Sequence, residues 1–129
     1  MSEPTWIDLE VVLAIHDEQL AEHGGQVGLR DRGLLESALA RPTNQFAYGE
    51  QSLARLAASY AFGISRHHPF LDGNKRTSLV VAELFLELNG VELAASDAEA
   101  VKTFLQLAAG DLTEEALAEW IAERSVPTR

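Results

Sequence analysis

Residues 51–89, QSLARLAASYAFGISRHHPFLDGNKRTSLVVAELFLELN, read as two apolar helices joined by a short polar loop, and this reading decides the fold. Leu53, Leu56, Ala57, Tyr60, Ala61 and Ile64 recur three and four residues apart, the period of one helix face. No charged residue falls between Leu56 and Ser65, so this helix, expected from Gln51 to His67, should be buried; Pro69 ends it. A second core helix is expected from about Gly73 to Asn89 on Leu79, Val80, Ala82, Leu84, Phe85, Leu86 and Leu88, with Asn89-Gly90 as its stop.

Working outward, most segments show the same helical spacing and none shows a long strict alternation. Trp6, Ile7, Val11, Leu13, Ala14 and Leu20 predict a first helix stopped by Gly24-Gly25. The GGQVGLR stretch at residues 24–30 is a flap, either a loop or a short hairpin. Asp31 is placed to cap a second helix over Arg32 to Ala40, and Arg41-Pro42 should end it, because the residue before a proline disfavours helical angles. Residues 42–49 are then a connector. Ser96 with Glu99 forms a capping box for a helix running to Gly110, and a last helix spans Thr113 to Glu123. The expected fold is all-α, a compact single-domain bundle of about six helices over residues 1–129.

Composition bounds the function. The chain has 129 residues, 47% hydrophobic and 23% charged, which fits one globular core. Ten basic residues against 20 acidic ones give a net charge of −10, which argues against broad attraction to nucleic acid or an anionic membrane. Most of the acids from Glu83 onward are expected on the solvated sides of the last helices. Zero cysteines exclude disulfides and thiolate chemistry. The longest uncharged run is too short to span a membrane, and the acidic start lacks the build of a signal peptide, so a cytoplasmic protein is expected.

The chemistry concentrates in Arg66-His67-His68-Pro69-Phe70-Leu71-Asp72-Gly73-Asn74-Lys75-Arg76, which holds three of the ten basic residues and two of the four histidines. If the loop joins two buried helices, these groups must converge near the start of the second. A helix start presents free amides and a positive dipole end, so Gly73, Asn74 and Lys75 form a phosphate cradle, with Lys75 and Arg76 adding charge. Asp72 suits magnesium, which commonly takes one or two carboxylates and completes its shell with water and phosphate. His68 can accept a proton near neutral pH. Each residue also has a structural reading: Asp72 as a helix cap, Gly73 as a turn residue, Phe70 and Leu71 as core plugs, His16 and His23 as packing or surface residues. Adjacent His67 and His68 cannot share a helix face for a metal. The Gly-Asn-Lys-Arg-Thr run lacks the order and preceding strand of a Walker loop, and protein-kinase loop motifs are absent.

The run His68-Pro69-Phe70-Leu71-Asp72-Gly73-Asn74-Lys75-Arg76 resembles the Fic/Doc motif, HPFxDGN followed by Gly or Lys and then Arg. His16, Gly24-Gly25, Arg30-Asp31, the residues 34–39, Arg41-Pro42, Phe85-Leu86, Asn89-Gly90 and Trp120 extend the resemblance to the death-on-curing toxin branch over nearly the whole chain. The resemblance implies a helical bundle with a flap over the active site. It makes His68 the general base toward a target hydroxyl, Asp72 the magnesium ligand, and Asn74, Lys75 and Arg76 the holders of the nucleotide phosphates.

Two departures from AMP-transferring Fic enzymes bear on the reaction. Lys75 stands where they have glycine, and Leu79 where they have a second arginine. Both match the toxin branch, which implies Mg-ATP-dependent transfer of the γ-phosphate to a threonine of elongation factor Tu and a block of translation, with nucleotidyl transfer or a non-catalytic binding module as the alternatives. No Glu is followed by Gly or Asn, so the inhibitory motif of many Fic proteins is absent and restraint would come from a separate antitoxin. The apolar faces of the first two helices are candidates for its groove.

Overall fold

The structure, a computed structural model, describes residues 2–128. Its elements are α1 (Leu9–His23), α2 (Arg32–Ala47), α3 (Leu53–His67), α4 (Asn74–Leu88), β1 (Val91–Leu93), α5 (Asp97–Ala109), α6 (Glu114–Glu123) and β2 (Ser125–Pro127). The helical class and the helix count agree with the sequence. Asp8, Asp31, Ser52, Ser96 and Thr113 each accept an amide hydrogen bond from the first turn of the helix that follows, the usual way a start is satisfied. α4 differs: Gly73 precedes it with φ 79°, and no side chain caps it.

α3 is the central element and packs against α2, α4 and α6. Leu56, Ala57, Tyr60, Ala61 and Ile64 are fully buried along it, as its charge-free middle predicts. Tyr60 is made tolerable in the core by its hydroxyl, which accepts the amide of Ile7 at 3.0 Å. α3 and α4 are joined by a buried link in which Ser65 Oγ donates to Ser78 Oγ at 2.9 Å and Ser78 Oγ donates to the Lys75 carbonyl at 2.7 Å. This link ties the first turn of α4 to the end of α3, so the loop between them is held at both ends. No described helix is long and apolar enough to cross a membrane.

Three expectations change. α2 does not end at Ala40; it runs on to Ala47 with Pro42 inside it and buried, so the 42–49 connector is mostly helix. Contacts from those extra two turns outweigh the backbone cost of the proline: Arg41 pairs with Glu114 and lies over the Phe62 ring at 5.0 Å, and Phe46 meets Trp6 edge-on. α1 begins at Leu9 and not at Trp6, whose ring instead stacks on Phe85 at 5.8 Å. β1 and β2 pair antiparallel, Val91 with Pro127 and Leu93 with Ser125, a ladder too short to leave an alternating pattern in the sequence. The acids from Glu83 onward are mostly exposed, as expected; Glu83 is half-buried, and burial, then Glu87 and Asp97, hold its carboxyl above the usual range.

Candidate active site

α3 ends at His67 because Pro69 cannot continue it, and His68 takes the left-handed conformation with φ 48° and ψ 58°. It is the only described residue other than glycine with positive φ, and its side chain is exposed. Phe70 then turns inward and is 1% exposed, a core plug as expected, whereas Leu71 is 48% exposed and plugs nothing. With Phe70 seated, the next residue must point outward, which sends Leu71 to the surface under the flap.

Asn74 fixes this turn. Its amide nitrogen donates to the Phe70 carbonyl at 2.9 Å, and its side-chain oxygen accepts the Phe70 amide at 3.1 Å. The buried Asn74 side chain is therefore committed to the loop, and what it can offer a phosphate is its backbone amide at the start of α4. His16, from α1, stacks on the Phe70 ring at 3.7 Å and its Nε2–H donates to the Asp72 carbonyl at 2.8 Å. The packing role expected for His16 is correct, and it lies directly beneath the loop.

The flap, residues 24–30, is a loop and not a hairpin: one bridge joins Leu29 to Phe70 antiparallel, and the Leu71 amide donates to the Gly28 carbonyl at 3.0 Å. It brings Gln26 to Asp72. The Asp72 carboxylate accepts the Gln26 amide at 3.1 Å on one oxygen and the Gly73 amide at 2.8 Å on the other. These two bonds, with smaller contributions from His16 and Lys75, hold its carboxyl below the ordinary value although it is exposed. Asp72 is thus an ionised acceptor outside α4, not its cap. Gly25 is required here: with φ 129°, a Cβ would stand 3.0 Å from Asp72 Oδ2 and 2.8 Å from the Leu20 side chain.

Above the α4 start lies a cleft of about 240 Å³. Asp72, Gly73, Asn74, Lys75 and Arg76 form its polar floor, the end of α1 including His23 forms one wall, and Leu79 with Val101, Phe104 and Leu105 of α5 forms the apolar one. Among the described residues, Lys75 and Arg76 make no ion pair, so their charges face the cleft without a protein partner. An uncapped helix start, two free cations and an ionised carboxylate suit a phosphate chain with a hard cation, and the apolar wall suits a flat organic group. No three described His, Asp or Glu residues cluster as a metal site, so a cation here would rest on Asp72 and on oxygens that the ligand and water bring.

The model of the Fic/DOC family matches residues 6–86. A relative named Protein kinase doc, from Escherichia phage P1, is 35% identical over 114 residues, 88% of this chain and 90% of the relative. The chain belongs to the Fic/DOC family. A second relative, Toxin Doc from Mycolicibacterium smegmatis, is 45% identical over 75 residues, 56% of this chain and 57% of the relative. The Fic/DOC match takes in the flap and the whole loop from α3 to α4 but stops before α5, so the cleft's apolar wall lies partly outside it.

Loop and cleft gather Asp72, Gly73, Asn74, Lys75 and Arg76 of the sequence-predicted site, with His68 on the same loop where α3 ends. Sequence reasoning missed Gln26, whose contribution is a backbone amide and carries no side-chain signal. It also missed the site-building part of His16, which a polar residue within the buried stripe Val12, Ile15, Gln19 and Leu20 could have signalled.

Proposed function

We propose that this Fic/DOC chain is a toxin that transfers the γ-phosphate of Mg-ATP to a Ser or Thr hydroxyl of a translation protein, with elongation factor Tu the first candidate. The observation that carries the reading is the uncapped start of α4, flanked by ionised Asp72 and by unpaired Lys75 and Arg76. The names of the phage and mycobacterial relatives, a protein kinase and a toxin, support the direction.

In this reading His68, exposed at the loop, accepts the proton of the attacking hydroxyl. The amides of Asn74, Lys75 and Arg76 bind phosphate oxygens in line with the helix dipole, while the side chains of Lys75 and Arg76 neutralise the charge that spreads over the transferring group. Asp72 holds magnesium, which when bound screens the phosphate oxygens from one another. Leu79 and the α5 residues Val101, Phe104 and Leu105 exclude water from one side of the nucleotide. A separate antitoxin, binding the folded chain, restrains the activity.

Expression of the chain in a bacterial host, with protein synthesis followed by pulse labelling, tests this. The wild type should arrest synthesis and the His68→Ala variant should not, and co-expression of the antitoxin should restore it. Normal synthesis under wild-type expression would overturn the reading.

A further inference from the structure

The end of α3 lacks the partners that usually finish a helix. A left-handed residue such as His68 ordinarily lets the amides that follow turn back to the last carbonyls. Here the next residue is Pro69, which has no N–H, and among the described residues no backbone amide beyond the helix returns to α3. The flap supplies the missing donors. Arg30 Nε donates to the His68 carbonyl at 2.7 Å and Arg30 Nη2 donates to the His67 carbonyl at 2.7 Å, while the amides of Arg30 and Asp31 donate to the Pro69 carbonyl at 2.7 and 3.0 Å. Three consecutive carbonyls around the candidate base thus rest on one residue and its neighbour, 37 or more positions away in the chain.

We infer that Arg30 is a positioning residue for His68: its guanidinium fork holds the backbone of His67 and His68, and through it sets the direction of the His68 imidazole. Left-handed backbone in a residue with a side chain is disfavoured and persists only where surroundings fix it. Beside the amides on the Pro69 carbonyl, the surroundings that reach His67 and His68 themselves are the two planar N–H groups of one arginine, whose fork geometry lysine cannot reproduce. The positive charge also stands at the negative end of the α3 dipole, where it is favoured. Because Arg30 is the last residue of the flap, the flap that gives Gln26 to Asp72 is the same segment that fixes His68. Base and carboxylate are held in register by one strip of chain.

The inference rests on the reading of His68 as base, and the test separates the two. Arg30→Ala, Arg30→Lys and His68→Ala are prepared, and the backbone carbon shifts of His68 are followed by NMR beside the transfer kinetics. Arg30→Ala should move the His68 shifts out of the left-handed range and lower kcat about 10- to 100-fold with the KM for ATP unchanged. Arg30→Lys should recover little of either, and millimolar guanidinium added to Arg30→Ala should recover part of both. Unchanged His68 shifts in Arg30→Ala, or full activity in Arg30→Lys, would overturn the positioning role. Should Arg30→Ala fail to fold, the shifts and kinetics of Arg30→Lys decide alone. Full transfer by His68→Ala would remove His68 as the base while the shifts still report whether Arg30 holds it.

Discussion

Asp72 shows how two backbone amides can set the charge of an exposed group. Its carboxyl is held below the ordinary value first by the Gln26 amide and then by that of Gly73. The carboxylate is therefore favoured in the folded chain, so its stabilising effect is present above the ordinary Asp value and is lost as pH falls through the lowered one. Asp72→Asn should melt below the wild type at neutral pH, and the gap should close as the solution is made acid. Melting curves of both proteins across that range check this, and a gap independent of pH would contradict it. The same variant should lose most of the stabilisation that Mg-ATP gives the wild type, which a ligand at 100 times its dissociation constant sets at about 2.7 kcal/mol. The sequence pointed to Asp72 as an acid just before a helix, but not to the amide of Gln26 that keeps it charged, because a backbone donor in a loop leaves no mark on residue type.

At the scale of elements, α2 and α3 approach closely where Ala38 faces Gly63. A Cβ on Gly63 would stand 3.0 Å from Ala38 Cβ and 3.1 Å from its Cα, atoms that cannot swing aside. Gly63→Ala should therefore destabilise the fold by about 1–3 kcal/mol, the range for overpacking, although alanine is the better helix former. Denaturant unfolding measures it, and a variant as stable as the wild type would show that the two helices can separate at no cost. Helix existence was legible wherever apolar residues kept one period and a capping residue preceded them, as with Asp31 and Ser96. The end of α2 was not, because the local preference against helix before Pro42 is overridden by Arg41, Gln45 and Phe46 meeting distant partners, Glu114 and Trp6. The two strands fail for the same reason: three residues each, they exist only because the C-terminal segment returns to lie beside β1.

Over the whole molecule, a net charge of −10 surrounds a small cationic floor. Part of that charge bears on Glu83, whose carboxyl is held above its ordinary value first by burial and then by Glu87 and Asp97. The charged form is disfavoured in the fold, so the penalty is absent below the unfolded value and complete above the raised one. Glu83→Gln should raise the melting temperature at neutral pH, more at low salt, and leave it unchanged in acid; a lower melting temperature at neutral pH would contradict this. The site's location was legible in one dense run, residues 66–76, because charged and polar groups between two buried helices have nowhere to spread. Its framing by α1, the flap and α5 is a product of the fold and appears in no local pattern.

In the proposed function this loop moves the terminal phosphate of ATP onto a protein hydroxyl. Purified elongation factor Tu, magnesium and ATP labelled at either the α or the γ phosphate are incubated with the wild type and with His68→Ala. Label should reach the target from the γ position alone, reduced in the variant by roughly 10²–10⁴-fold, the range for loss of a general base. Label from the α position would mean nucleotidyl transfer and would overturn transfer of the γ-phosphate.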